Sequence, residues 1–128
     1  MINKTFEQCK ADPVNTVYAD WEDKEFRCLV LRGPCSLCAY IGVKPEHPLY
    51  NKKYSDVYVD CHGGFTFGEM GEKNTPWPVG YYWFGWDYAH LWDAPFYDDR
   101  PSEETHWTPD MVVAEFPEAI ESLRRIQL

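Results

Sequence analysis

The sequence predicts an α+β fold in which a mainly antiparallel sheet is packed by a C-terminal helical segment. Two patterns carry this prediction: short apolar stretches separated by glycine and proline turns, and a helix-start signal near the C-terminus. The chain has 128 residues, of which 45% are hydrophobic and 26% charged, and this suits a single domain spanning residues 1–128. No internal repeat or linker divides it.

The predicted strands are identified by their apolar periodicity. Residues 25–31 alternate between apolar and polar side chains, which is typical of a half-buried strand. After a turn at 32–34, residues 37–43 form a nearly continuous apolar run, which indicates a more central strand. The complete set of predicted strands is 25–31, 37–43, 57–61, 65–67 and 81–86.

A helical segment is predicted over residues 108–127. Thr108 suits the N-cap, Pro109 the first helical position and Asp110 the first turn. Pro117 predicts a break, after which a second helix begins. We expect this second helix to face the sheet with Ile120, Leu123 and Gln127.

Charge and composition exclude several classes of protein. The formal net charge is −9, and no Lys/Arg cluster is present, so we expect no binding to bulk nucleic acid. No apolar run approaches the roughly 18 residues of a membrane helix, and residues 1–4 lack the character of a signal peptide. We therefore expect a soluble, cytoplasmic protein. The negative charge does not exclude a small anionic ligand, because backbone amides and a few local cations are sufficient to hold one.

The five cysteines are expected to be reduced. Cys35 and Cys38 have the spacing of half a zinc knuckle, with Cys61 and His62 as conceivable ligands for the other half. Against this alternative, Cys38 begins a predicted strand and no second C-x-x-C follows.

One polar cluster is the main candidate for a functional site. Asp87, His90 and Asp93 recur at spacings of three, and a helical turn over 88–93 would place them on one side. Upstream, His62 precedes two glycines that permit positive φ or a close backbone approach. Ten aromatic residues lie between positions 77 and 97, and rings beside fixed polar groups are typical of a pocket for a flat, polar ligand.

Two kinds of site are compatible with these residues. In the first, aromatic rings stack on a nucleobase and the glycine amides hold a phosphate, without any catalytic residue or cofactor. The candidate ligand-binding residues are Tyr40, His62, Gly63, Gly64, Thr66, Trp83, Asp87, His90 and Asp93. In the second, a metal ion activates water for phosphoester or amide hydrolysis. The candidate metal ligands are His62, Asp87, His90 and Asp93.

Five segments of the chain share a pattern with known proteins. They read R-C-L-V-L-R at 27–32, C-A-Y-I-G-V at 38–43, H-P-L-Y at 47–50, H-G-G-F-T-F at 62–67 and W-F-G-W-D-Y-A-H-L-W-D at 83–93. With these motifs the chain resembles a widespread group of short phage and prophage proteins, over roughly residues 25–95 plus a variable helical tail. Cys35 and Trp86 depart from the shared pattern, so no family-level role is assigned to either.

The resemblance implies a counter-defence protein without enzymatic activity. It would act as a homo-oligomer that sequesters a small nucleotide signal, expected to be cyclic, in the cytoplasm of the infected bacterial host and leaves it intact. The second hypothesis is a metal-dependent hydrolase or phosphodiesterase. The third is an acidic inhibitor that binds a host defence enzyme. The first two require the imidazoles of His62 and His90 to meet across a cavity.

Overall fold

A computed structural model describes residues 1–98 and 102–126 of the chain. It contains a five-stranded sheet in the order β1-β2-β3-β5-β4, in which all neighbouring strands are antiparallel. The elements are α1 (Phe6–Ala11), β1 (Val17–Asp23), β2 (Phe26–Arg32), β3 (Leu37–Val43), β4 (Phe67–Met70), β5 (Tyr82–Asp87), α2 (Pro109–Val113) and α3 (Phe116–Arg124). The predicted α+β fold is confirmed.

The central strands are buried on both faces of the sheet. Towards the helices, the main core includes Phe84 and Trp86 of β5 together with Phe116 and Ile120 of α3. The opposite face carries a smaller cluster of buried residues, Leu29, Leu31, Tyr40 and Trp83. Burial on both faces explains why β3 has no polar alternation.

Two N-terminal elements were not predicted. Thr5 caps α1 through its hydroxyl, which accepts a hydrogen bond from the amide of Gln8. The edge strand β1 contains Asp20, Glu22 and Asp23, whose acidic side chains obscure its pattern. An edge strand with one solvated face needs few apolar residues to pair with β2.

The predicted strand over 57–61 is wrong. Val57 and Val59 are buried and Tyr58 is exposed, as alternation requires, but these residues join no ladder of the sheet. The amide of Asp60 instead donates to the hydroxyl of Ser122 at 3.0 Å, so this segment packs on α3. The strand predicted at 65–67 begins only at its last residue and continues as β4.

The C-terminal helices follow their predicted signals. Thr108 caps α2 by accepting a hydrogen bond from the amide of Met111, and Pro109 opens the helix. The expected break is confirmed, since α2 ends before Pro117 and α3 carries this proline in its first turn. Ile120 and Leu123 are buried as predicted, whereas Gln127 lies outside the described residues. No helix in the described part of the chain has the length and apolarity needed to cross a bilayer.

Arg32 at the end of β2 ties α1 to the β2–β3 turn. Its buried guanidinium donates to the carbonyl oxygens of Cys9, Lys10, Gly33 and Pro34 at 2.7–3.2 Å. The guanidinium also lies over the ring of Phe96, 4.4 Å from its centroid. The planar fork of arginine satisfies carbonyls at the end of α1 and in the turn together, which a lysine ammonium cannot reproduce.

We therefore expect Arg32→Lys to lower the free energy of unfolding by about 3 kcal/mol, because at least two charge-assisted hydrogen bonds are lost inside the protein. The measurement is urea unfolding. Arg27→Lys is the matched control, since Arg27 makes a bidentate pair with Asp20 on the surface of the sheet. The control should lose less than about 1 kcal/mol. Equal losses in the two variants would contradict the role given to Arg32.

Candidate functional site

The carboxylate of Asp93 is the centre of the candidate site. Its Oδ2 accepts hydrogen bonds from Nε2 of His62 at 2.7 Å and from the backbone amide of His90 at 3.0 Å. Its Oδ1 accepts one from Nε1 of Trp107 at 2.8 Å. A carboxylate only accepts, so His62 donates from Nε2. Three separate segments of the chain thus converge on one buried side chain.

The surroundings of Asp93 favour its charged form. Burial by itself raises the pKa of this carboxyl, because it removes the charge from water. The hydrogen bonds from His62, the His90 amide and Trp107 outweigh burial, and the net pKa lies below its ordinary value. Asp93 is therefore an ionised carboxylate at neutral pH.

The turn that carries His90 and Asp93 is not helical, which corrects the prediction for residues 88–93. The amide of Asp93 donates to the carbonyl of His90 at 3.0 Å, and Trp92 has a φ of 75°. This is a tight turn with a left-handed residue. The carbonyl of Trp92 accepts from the amide of Thr105 at 2.8 Å, so it is unavailable for a helical hydrogen bond.

The first two hypotheses required the two imidazoles to meet across a cavity; the imidazoles do meet, but by direct contact. The ring centroids of His62 and His90 lie 5.2 Å apart, with the planes inclined by 70°. His62 stacks on Tyr88 at 4.5 Å and contacts Trp107 edge-on at 5.0 Å. Because the two histidines are in direct contact, they do not enclose a cavity between them. The space for a ligand lies beside them.

The glycine pair after His62 has the predicted backbone. Gly63 and Gly64 both have a φ of 78°. A Cβ on Gly63 would collide with the imidazole of His90, whereas a Cβ on Gly64 would have no atom within 4 Å. Gly63 therefore permits the close approach of this turn to His90, and Gly64 permits only the left-handed conformation.

The same residues provide a set of metal-ligand atoms. One ligand atom from each of His62, His90 and Asp93 lies within 4.8 Å of the other two. Nδ1 of His90 is 3.5 Å from Oδ2 of Asp93, and the atom is buried without a hydrogen-bond partner. Neighbouring ligands of a tetrahedral zinc ion lie about 3.3 Å apart, so small side-chain rotations bring these atoms to a metal.

Asp87 and Thr66 lie at the rim of this cluster. Oδ1 of Asp87 is 3.9 Å from Nδ1 of His90 and accepts a hydrogen bond from the amide of Ala89. Oδ2 accepts from the hydroxyl of Thr66 at 3.2 Å. About one third of the Asp87 side chain is exposed. Asp87 is thus close to the ligand atoms but outside the group that could hold a metal.

Tyr40 and Trp83 do not belong to the site, which corrects their assignment as ligand-binding residues. Both are buried in the smaller cluster on the opposite face of the sheet. Nε1 of Trp83 donates to the carbonyl of Pro78 at 2.9 Å. Neighbouring positions on β5, Phe84 and Trp86, are in the main core, and Trp83 joins the other cluster.

The zinc-knuckle alternative is not supported by the structure. Among the residues described, the potential metal group contains no cysteine, so Cys35, Cys38 and Cys61 lie outside it. Burial raises the pKa of the Cys38 thiol to about 11 and that of Cys61 to about 12, which disfavours the thiolates that bind metal.

Trp107 is a site residue that the sequence analysis missed. Its indole donates to Asp93 and packs on Tyr88 at 4.6 Å. The sequence offers one indication of this role: Trp107 directly precedes Thr108, the N-cap of α2. The start of a helix fixes the direction of the residue before it.

Two clefts open beside the histidines. One, of about 390 Å³, is lined by His90 and Asp93 together with Leu91, Tyr97 and Glu104 among others. The other, of about 300 Å³, is lined by Asp60, Cys61, His62, Glu115 and Glu118. Both volumes are at the lower end of those that hold small ligands.

Comparison with protein-family models, curated proteins and solved structures finds no match to this chain. The resemblance to short phage proteins therefore stays a prediction, and the function is inferred from the site.

A comparison of two glycine variants tests the geometry of the turn. Both Gly63→Ala and Gly64→Ala place a side chain at a φ of 78°, which costs about 1–2 kcal/mol. Gly63→Ala should cost up to about 1 kcal/mol more, because its methyl group displaces the His90 ring. Chemical denaturation measures the difference. Equal stabilities would show that Gly63 does not position His90.

A second comparison concerns the left-handed Trp92, whose side chain is 70% exposed. Trp92→Gly should raise the free energy of unfolding by about 0.5 kcal/mol, because relief of backbone strain exceeds the added entropy of the unfolded chain. Leu91 is similarly exposed but has no positive φ, so Leu91→Gly should lower stability by about 0.5–1 kcal/mol. A loss in both variants would contradict the assignment of strain to Trp92.

Proposed function

We propose that this chain is a metal-dependent hydrolase whose metal ion is held by His62, His90 and Asp93. The observation that carries the proposal is the convergence of their three ligand atoms within 4.8 Å, around a buried His90 Nδ1 that has no hydrogen-bond partner. A buried polar atom without a partner costs about 1–3 kcal/mol, so native proteins rarely keep one without a reason. A metal ion bound at Nδ1 supplies this partner.

The donor set indicates the class of metal. Two imidazoles and one carboxylate suit zinc, iron(II) or manganese better than calcium or magnesium, which prefer oxygen ligands. Three protein ligands leave a position for water, and a bound zinc ion lowers the pKa of that water to about 7.

Other residues of the chain orient the ligands and accept a proton. The indole of Trp107 holds Oδ1 of Asp93, which directs Oδ2 towards the two histidines. The stacked ring of Tyr88 fixes the plane of His62. Asp87, 3.9 Å from His90 Nδ1 and partly exposed, is placed to accept the proton of the attacking water.

A metal-binding experiment tests this proposal first. We expect calorimetric titration with zinc chloride to show one site per chain. His90→Ala should weaken zinc binding by at least about 100-fold, since even the loss of a group supporting a ligand costs 10–100-fold. The control is His106→Ala, which removes an exposed histidine that packs on Phe6 and does not belong to the group of potential metal ligands.

The free energy of unfolding distinguishes a role of His90 as a metal ligand from a purely structural role. Without metal, His90→Ala should change the free energy of unfolding by less than about 1 kcal/mol, because the lost nitrogen makes no hydrogen bond. In the zinc-loaded protein, Asp87→Asn should lower kcat for an activated ester by about 100-fold with zinc affinity unchanged. Equal zinc affinity of the His90→Ala and wild-type proteins would falsify the metal centre.

We propose sequestration of a nucleotide as a second candidate function. It is favoured by the left-handed backbone of Gly63 and Gly64 next to His62, with open space beside Gly64 through which a phosphate can reach the backbone. Homo-oligomerisation and a place in the cytoplasm of an infected bacterial host belong to this second proposal. Incubation with cyclic nucleotides, followed by heating, distinguishes the two functions: release of intact nucleotide supports sequestration, and release of cleaved product supports the hydrolase.

A further inference from the structure

The buried ring of Tyr88 is anchored at both of its ends. Its hydroxyl donates to Oε1 of Glu115 at 2.7 Å and accepts from Nε1 of Trp86 at 3.0 Å. Its backbone amide donates to the carbonyl of Leu37 at 3.2 Å. A tyrosine hydroxyl has one proton, and a hydrogen bond from it to a carboxylate is stronger than one between neutral groups. Glu115 therefore makes the stronger of the two contacts that hold the tip of this ring.

The ring of Tyr88 contacts the proposed metal centre in two places. It stacks on the imidazole of His62, with 4.5 Å between the ring centroids and 16° between the planes. It also packs on the indole of Trp107 at 4.6 Å, and this indole donates to Asp93. Tyr88 thus touches one proposed metal ligand directly and the group that supports a second.

The position of Glu115 follows from the break between the two C-terminal helices. α2 ends at Val113 and α3 begins at Phe116, so Glu115 lies in the junction as the N-cap of α3. Pro117 explains the break, because a proline ring collides with the carbonyl of the residue four positions earlier, here Val113. The amide of Glu115 donates to the carbonyl of Val112 at 3.0 Å. The junction therefore holds the backbone of Glu115 while its side chain reaches Tyr88.

We infer that Glu115 is a positioning residue of the proposed metal centre. Its carboxylate holds the hydroxyl of Tyr88, and the ring of Tyr88 keeps the imidazole of His62 in the orientation in which Nε2 faces Asp93. Groups that orient metal ligands without touching the metal contribute about 10–100-fold to metal affinity. The inference rests on the proposed metal centre for its effect on affinity, but the orientation of His62 is measurable without metal.

Calorimetric titration with zinc chloride tests the inference in three variants. Glu115→Ala removes the acceptor and should weaken zinc binding by about tenfold. Glu115→Gln removes the charge but keeps a carbonyl oxygen that accepts from Tyr88, so its affinity should stay within about threefold of the wild type. Glu118→Ala is the matched control, since Glu118 lines the same cleft as Glu115 and His62. It removes an equal charge and should also stay within about threefold.

A double-mutant cycle shows whether Glu115 acts through Tyr88. Tyr88→Phe keeps the ring and removes the hydroxyl, and it should weaken zinc binding by about tenfold. Addition of Glu115→Ala to this variant should weaken binding by no more than about twofold further, because both changes interrupt the same contact. Additive losses overturn the inference.

Proton NMR follows the orientation of His62 in the metal-free protein. The observed signal is the proton on Nε2 of His62, which lies in the 2.7 Å hydrogen bond to Asp93. Glu115→Ala should raise the rate at which this proton exchanges with water by at least about fivefold, because a less restrained ring opens the bond more often. Glu118→Ala should change the rate by less than about 1.5-fold.

The outcomes separate this inference from the proposed function. Equal zinc affinities of the wild-type and Glu115→Ala proteins overturn the inference and leave the metal centre in place. A loss in Glu118→Ala or Glu115→Gln as large as that in Glu115→Ala assigns the effect to charge and also overturns it. If the wild type binds no zinc, the metal centre is removed. Faster proton exchange in Glu115→Ala then supports the positioning of His62 by Glu115, and an unchanged rate overturns it.

Discussion

The candidate site depends on the buried carboxylate of Asp93, which must receive hydrogen bonds from the groups around it. An ionised Asp93 inside the protein is tolerated only if donors surround it, and it obtains them from the histidine before the glycine pair, the turn at His90 and the indole of Trp107. These three groups lie 31, 3 and 14 residues away along the chain. The carboxylate thus closes long loops around itself, and the same bonds that stabilise the fold bring two imidazoles together. The geometry of the candidate site follows from this one polar requirement.

Arg32 is a second buried charge, of the opposite sign, and it too is stabilised by hydrogen bonds to the groups around it. Its guanidinium is buried among carbonyl oxygens, and its face packs on Phe96, which follows the Asp93 turn closely in sequence. The amide of Phe96 in turn donates to the carbonyl of Cys35 in the β2–β3 turn. The segment after Asp93 is therefore held against the end of β2 and the β2–β3 turn. In a chain with few leucines, buried charges and large rings together replace part of an aliphatic core.

The sequence predicted the features that depend on local chemistry and missed those that depend on packing. The cap at Thr108 and the break before Pro117 follow from the properties of single residues, and the structure contains both. The acidic side chains of β1 conceal its pattern, because its pairing with β2 is a tertiary contact. Tyr40 and Trp83 were assigned to the pocket because rings are chemically suited to it. Alternation shows that adjacent strand positions differ in face, but only the assembled sheet shows which face the site occupies.

Charge gives the last constraint on what the site can hold. With both imidazoles counted as uncharged, the cluster of two histidines with Asp93 and Asp87 has a formal charge of about −2, and the described lining of the two clefts adds further carboxylates. A divalent cation cancels this charge, whereas a phosphate increases it unless a metal is already present. The proposed metal centre is therefore consistent in charge with the described lining of both clefts, which contains carboxylates and no lysine or arginine.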